Sequence, residues 1–385
     1  MKKHAIIPIF IPHRGCPHTC VFCNQRAITA RRPDVRPEDV QGILDTWLST
    51  LQGRGIETIE AAFYGGSFTG LPLEEQAAFL APAKAYKDRH LIDRIHLSTR
   101  PDYIDRPVLE QLRAYDVDII ELGVQSFDPG VLAASERGHT EEDVYRACDL
   151  IRKYGFTLGI QLMIGLPEDS REKCIASAKK TAEIGPAIAR LYPTVVLKRT
   201  ALADMYAAGA YHPLSDDEAA AITADMYRIL TAAGVRIIRV GLKSTDLITD
   251  GGEVQGHSFH PAFRQLVEGR IAREDLEAQL MQLLEPAGGL RTGALEAYGA
   301  GVQTDGAPGA ETAGTSGGTG TSCPPELRAF TFFSCPESFS NMIGNGSENK
   351  RYFAEKYPDL SIRYAVDRSL PPMHFRAEAA APRLK

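Results

Sequence analysis

Six apolar runs alternating with amphipathic helices occupy the first two hundred residues, and this alternation restricts the chain to a parallel α/β architecture. The runs lie at about 5–12, 58–64, 94–99, 117–124, 157–164 and 189–197. Strands this continuously apolar need cover on both faces, which helices packed on a parallel sheet supply. Between them, Val40, Ile43, Leu44, Trp47, Leu48 and Leu51 recur at helical spacing and make one buried face. Thr140 and Gly155 bracket a helix over 141–154 as N-cap and C-terminal stop. The sheet is either open and doubly wound or a partial barrel. In both, function is expected beyond the C-terminal ends of the strands.

Farther along, Ser215 and Glu218 form a capping box that opens a helix ending near Gly234, and a strand follows at 235–241. Residues 242–300 read as helical and contain His257 and His260, for which a structural role is expected. Residues 303–322 hold no Lys, Arg, aromatic or large aliphatic side chain, so they cannot bury enough surface to offset their ordering entropy. The tail then reads as β-α-α-β: strand 329–334, helix 336–343, turn Gly344-Asn345-Gly346, helix 347–357 and strand 360–366. The resulting domain scheme is 1–200, an extension over 201–302, a linker at 303–325 and a small module at 326–385. A glycine-bearing loop between two helices of such a unit is similar to RNA-binding KH modules, although G-x-G replaces G-x-x-G.

A net charge of −6 excludes a chain that is basic all over, but residues 1–36 carry seven Lys or Arg against one acid. No apolar run approaches the ~20 residues that span a bilayer. Pro8 and Pro12 interrupt the short apolar start, which is therefore read as a strand, with no membrane association and a cytoplasmic location expected.

Seven cysteines fall into a tight trio, Cys16, Cys20 and Cys23, and four scattered residues. An odd count without a secretory signal does not suit a disulfide framework. Cys148, on an apolar helical stripe, reads as core. The trio has the spacing C-x3-C-x2-C directly after the first strand. A zinc site here would need His13 or His18 as fourth ligand. A [4Fe-4S] cluster held by three thiolates would instead leave one iron open.

C-x3-C-x2-C with Phe22 before the third cysteine resembles the radical S-adenosylmethionine (SAM) superfamily. The resemblance implies a partial (β/α)6 radical SAM barrel with a C-terminal α/β extension. Cys16, Cys20 and Cys23 would hold a [4Fe-4S] cluster whose open iron binds S-adenosyl-L-methionine. One electron, from reduced ferredoxin or flavodoxin, would then release a 5′-deoxyadenosyl radical. By the same match Gly65, Gly66 and Ser67 would bind the methionine amino group, Gln125 the ribose, and Ile164 and Gly165 the adenine. Gly65 and Gly66 remove side chains where the backbone must closely approach a ligand.

The segments YGGSFTGLP, LSTRPDYID, ELGVQS, RGHT and LYPTVVLKRTALADMY resemble more specifically the radical SAM domain of the Elongator catalytic subunit and its bacterial relatives, over about 5–245. That family modifies the wobble uridine of tRNA with acetyl-CoA. Arg100, Asp102, Arg137, His139, Lys198 and Arg199 become candidates for the substrate side. Ser98 stands where the pattern has glutamate. No Q/R-x-x-G-x-G/A pyrophosphate loop follows residue 245, so acetyl-CoA-dependent modification by this chain alone is not expected. The leading expectation is a radical SAM transferase acting on tRNA or another RNA. The alternatives are porphyrin-type chemistry like that of the oxygen-independent coproporphyrinogen oxidases, and a non-catalytic iron–sulfur RNA-binding protein.

Overall fold

A computed structural model describes residues 4–11, 14–16, 19–28, 35–245, 248–249, 252–256, 258–284 and 329–380. His13, His18, His257, the segment 303–325 and much of the basic stretch within 1–36 lie outside them.

Seven strands form one parallel sheet: β1 (His4–Ile11), β2 (Thr58–Gly65), β3 (Arg94–Thr99), β4 (Ile119–Gln125), β5 (Thr157–Ile164), β6 (Ile188–Pro193) and β7 (Arg236–Val240). Their spatial order repeats their chain order. A doubly wound sheet reverses its order at a switch point, and this one does not. Every right-handed crossover therefore leaves its helix on the same side, as in a barrel. Each strand is covered on that side by a helix and faces its opposite side toward a shared interior.

The helix Asp216–Ala232 and β7, expected from the sequence at 215–234 and 235–241, add a seventh parallel strand beside β6. The described residues divide into two compact units between Val267 and Glu268.

Capping explains where the crossover helices begin. The side chains of Asp105, Thr140, Ser170 and Ser215 each accept a hydrogen bond from the backbone amide three residues on, in helices Arg106–Ala114, Glu141–Lys153, Arg171–Ile184 and Asp216–Ala232. Each such cap contributes about 1 kcal/mol. Ile7, Ile9, Ala61, Phe63, Ile95, Leu97, Ile120, Leu122, Ile160 and Leu162 are fully buried along the strands.

In the second unit, β8 (Ala329–Ser334) is central, parallel to β9 (Ser361–Val366) and antiparallel to β10 (Phe375–Ala379). Phe330, Phe332, Met342 and Phe353 pack with Leu276 and Leu280 in its core. The β-α-α-β order holds, with helices Phe339–Ile343 and Glu348–Lys356. Strand β10 was not foreseen. Gly344 has φ +82, and a Cβ there would meet the Asn349 backbone nitrogen at 2.7 Å. The Asn349 amide donates to the Gly269, Asn341 and Met342 carbonyls. Internal packing thus accounts for that glycine.

Candidate active site

A cavity of about 630 Å³ opens inside the seven-stranded sheet. Cys16, Cys20, Cys23, Gly65 and Gly66 line one part, and Tyr64, Ser98, Glu121, Gln161, Arg190 and Tyr192 line another. Thr99, Arg100, Gly123, Gln125 and Arg137 also face it, as do Trp47, Arg239 and Lys243.

The thiol loop is tied down from several sides. Cys23 N–H donates to the Cys20 carbonyl (2.9 Å), Val21 N–H to the Ser135 carbonyl (3.2 Å), and Leu202 N–H to the Val21 carbonyl (2.8 Å). Val21 packs with Val196, Leu202, Ala203 and Tyr211, with Phe22 beside them. The aromatic before the third cysteine therefore helps anchor the loop as well as lining the cavity.

Gly65 has φ +114, a conformation L side chains rarely adopt. A Cβ on Gly66 would overlap the Arg14 carbonyl, and one on Gly15 would overlap the Ser67 carbonyl. Gly66 N–H donates to Ile11 O (2.9 Å) and Ser67 N–H to Arg14 O (3.0 Å). The glycines were expected to make room for a ligand, and what they admit at closest range is the backbone of the thiol loop itself. Ser67 is buried, its hydroxyl accepting from Arg100 N–H (3.1 Å) and lying 3.2 Å from the Thr99 hydroxyl.

Two buried arginines adjoin the thiols, and a buried histidine lies within reach of their charges. Arg137 is 7 % exposed, donating from Nη1 to Cys20 Sγ (3.4 Å) and from Nη2 to the Gly123 carbonyl (2.6 Å). Arg100 is held bidentately by Asp102, both bonds at 2.9 Å. His139 is buried, and among the described residues neither ring nitrogen has a hydrogen-bond partner. Burial, then the Arg137 and Arg100 charges, push its pKa down to about 3, so it is neutral at physiological pH. Arg137, a candidate for the substrate side, lines the cavity with its guanidinium against the Cys20 thiol.

Burial pushes the Cys23 thiol up to about 12, with the neighbouring Cys20 adding to the effect. Cys16 is raised by burial as well, while the Arg137 charge draws it back. Without metal, Cys16 and Cys23 stay protonated at neutral pH, and bound iron is what would hold them as thiolates. Three soft sulfur donors, a glycine-walled approach and adjacent buried guanidinium groups suit an anionic iron–sulfur centre. Among the described residues, no three His, Cys, Asp or Glu side chains converge on a single ion.

Gln125 ends β4 at φ +69, where the β4–β5 register shifts, and its Oε1 accepts from Gln161 Nε2 (3.1 Å). A non-glycine residue in this conformation is a strain held in place by its surroundings. Ile164 and Gly165 do not line the cavity. Gln161 and Met163 do, and the two-residue period of β5 turns Ile164 to the other face. Gly165 abuts Leu214, and its carbonyl accepts from the Tyr211 hydroxyl (2.6 Å). Lys198 and Arg199 also leave the site: Lys198 Nζ donates to the Gly252 carbonyl (2.6 Å), and Arg199 pairs with Glu253 (2.6 Å). His260 is occupied locally, its Nδ1 accepting from Ala262 N–H (3.1 Å).

A second polar group had not been identified from the sequence. His96, fully buried, stands between Glu60 (Nδ1 to carboxylate, 3.5 Å) and Glu121 (Nε2 to carboxylate, 3.7 Å). Glu121 pairs with Arg190 Nε at 2.8 Å and accepts from the Ser98 hydroxyl at 3.3 Å. Arg190 Nη2 donates to the Tyr64 hydroxyl, and Nη1 to that of Tyr192 at 3.4 Å. Both carboxylates sit below their usual range against the pull of burial, through the His96 hydrogen bond first for Glu60 and the Arg190 charge first for Glu121. The available signal was one charged residue in the middle of each of four apolar strands. A glutamate at 98 would face Glu121, so the serine fits this network.

Comparison with known proteins places this geometry. A family described as the radical SAM superfamily matches residues 10–180, and its C-terminal domain family matches 186–273. The chain is 25% identical over 257 residues to a tRNA uridine(34) acetyltransferase of Methanocaldococcus jannaschii, covering 56% of this chain and 47% of that protein. It is 24% identical over 318 residues to Elongator complex protein 3 of Bos taurus, covering 71% of this chain and 58% of that one. The chain thus spans about half the length of these relatives. The solved structure of archaeal Methanocaldococcus infernus Elp3 with an N-terminal deletion superimposes with a TM-score of 0.59 at 21% identity, over 72% of this chain and 64% of that one. Among the described residues, no helix is long and apolar enough to cross a membrane.

Proposed function

The chain belongs to the radical SAM superfamily, whose members are enzymes that bind a [4Fe-4S] cluster and S-adenosylmethionine, and from that premise we propose that it modifies tRNA, at a wobble uridine. The observation that carries the reading is the cavity in which Cys16, Cys20 and Cys23 adjoin Gly65, Gly66 and Gln125. When bound, the two cofactors supply a 5′-deoxyadenosyl radical that abstracts hydrogen from the substrate.

The protein's own residues bind, orient and exclude water. Cys16, Cys20 and Cys23 would hold three irons. The Gly65–Ser67 backbone, strapped to the thiol loop, would present polar groups to the methionine end of SAM. Arg137, whose Nε is buried with no hydrogen-bond partner among the described residues, would offer its carboxylate a cationic donor. Gln125, fixed by Gln161, offers an amide to the ribose hydroxyls. Arg190, with Tyr64 and Tyr192, would form the wall toward the substrate.

For tRNA, the support is the likeness to the tRNA uridine(34) acetyltransferase together with Trp47, Arg239 and Lys243 around the cavity. An aromatic face and cations suit an unstacked base and its phosphates. The test is SAM consumption by the reconstituted enzyme with and without unmodified tRNA, followed by nucleoside mass analysis. Stimulated turnover and a new uridine derivative are expected. Unstimulated turnover with unchanged nucleosides would remove tRNA as the substrate.

A further inference from the structure

We propose that Arg137 sets the reduction potential of the cluster, acting as a positioned hydrogen-bond donor and counter-charge to the Cys20 thiolate. The inference rests on the cluster assignment above and goes beyond it.

Several observations fix the side chain. The turn that carries it is bent on both sides, with Glu136 at φ +51 and Gly138 at φ +78, and Arg137 N–H donates to the Leu132 carbonyl (2.9 Å). Nη2 is clamped on the Gly123 carbonyl at the β4 bulge, which aims Nη1 at Cys20 Sγ. The two neighbouring guanidinium groups differ in charge balance. Arg100 is neutralised by its bidentate bond to Asp102. Arg137 has no carboxylate partner among the described residues and is 7 % exposed. A buried, unbalanced cation beside thiolates needs an anion, and the cluster is that anion.

The sign follows from the electron count. A [4Fe-4S]2+ core with three thiolates carries −1, and one electron from an external donor such as reduced ferredoxin, or dithionite in the assay, takes it to −2. A fixed positive charge and a hydrogen bond to sulfur favour the more negative state, so Arg137 raises the potential. Asp102 has the opposite influence, because it offsets Arg100.

The test is an EPR-monitored redox titration of the reconstituted chain without SAM, with iron and sulfide content measured on each sample. Arg137→Gln is expected to lower the equilibrium constant for one-electron reduction about tenfold, about 59 mV downward. Arg137→Lys, which keeps the charge, should recover at least half of that shift. Asp102→Asn should move the potential upward, by about threefold in the same constant. Unchanged potentials in loaded variants, or an upward shift in Arg137→Gln, would overturn the proposal. If Arg137→Gln fails to retain iron, Asp102→Asn decides, and no upward shift there rejects it. A wild-type chain that binds no iron or sulfide overturns the cluster assignment itself, and this inference falls with it.

Discussion

The Arg14 carbonyl occupies the space that a Cβ on Gly66 would need, so the loop after β2 lies backbone to backbone on the loop that carries the thiols. Gly15 and Gly70 meet in the same way across the interface. The cluster loop is held by main chain, and a single methyl group is enough to part it.

Gly66→Ala should therefore abolish cluster retention after anaerobic reconstitution. Gly42→Ala, in helix Asp39–Leu51 with nothing within 4 Å of its added Cβ, is the control. It should load normally and gain about 0.5–1 kcal/mol from helix propensity. Iron and sulfide content and urea midpoints check both.

The network around His96 predicts a stability effect with a rescue. Arg190→Met leaves the fully buried Glu121 without its counter-ion and should cost about 3–5 kcal/mol. Adding Glu121→Gln should recover much of the loss, since a neutral amide no longer needs the guanidinium. Denaturant titration of the two single variants and the double variant reads the coupling.

How much of this was visible in the sequence depends on the range of the interactions. Strands β1 to β6 were legible because each is an apolar run bounded by turn residues. Helices Glu141–Lys153 and Asp216–Ala232 were legible through the Thr140 and Ser215 caps. Strand β10 was missed because Phe375–Ala379 offers only five residues of alternation. Glu60, His96, Glu121 and Arg190 were each readable as charged residues in strands, but their alliance exists only in the register of four strands. Ile164, matched by resemblance to an adenine-lining segment, falls on the face of β5 opposite Gln161 and Met163, a parity that a motif match does not carry. Arg137 reaches Cys20 across 117 residues of sequence by way of two positive-φ residues, and no local pattern announces that.

Buried His139 predicts an acid-sensitive stability. It is neutral in the folded chain, with its pKa pushed down to about 3, whereas in the unfolded chain it takes a proton near 6.5. A group whose folded pKa is depressed contributes stability that is full above the unfolded pKa and lost as pH falls. The loss is about 1.4 kcal/mol per pH unit from about 6.5 toward 3. His139→Gln should remove this limb, so its stability relative to wild type should improve from pH 7 to pH 5 in urea titrations.

Gln125→Gly separates conformation from chemistry. It relieves the φ of +69 and deletes the amide. The expected result is near-wild-type thermal stability with SAM affinity reduced about tenfold, the value of about one hydrogen bond. Calorimetric titration of SAM into the reconstituted variant measures it.

The most direct measurement is anaerobic reconstitution of the chain with iron and sulfide, followed by dithionite, SAM and quantification of 5′-deoxyadenosine. The account predicts a product in the wild type and none in Cys16→Ala, Cys20→Ala or Cys23→Ala. An intact cluster that leaves SAM unconsumed would contradict it.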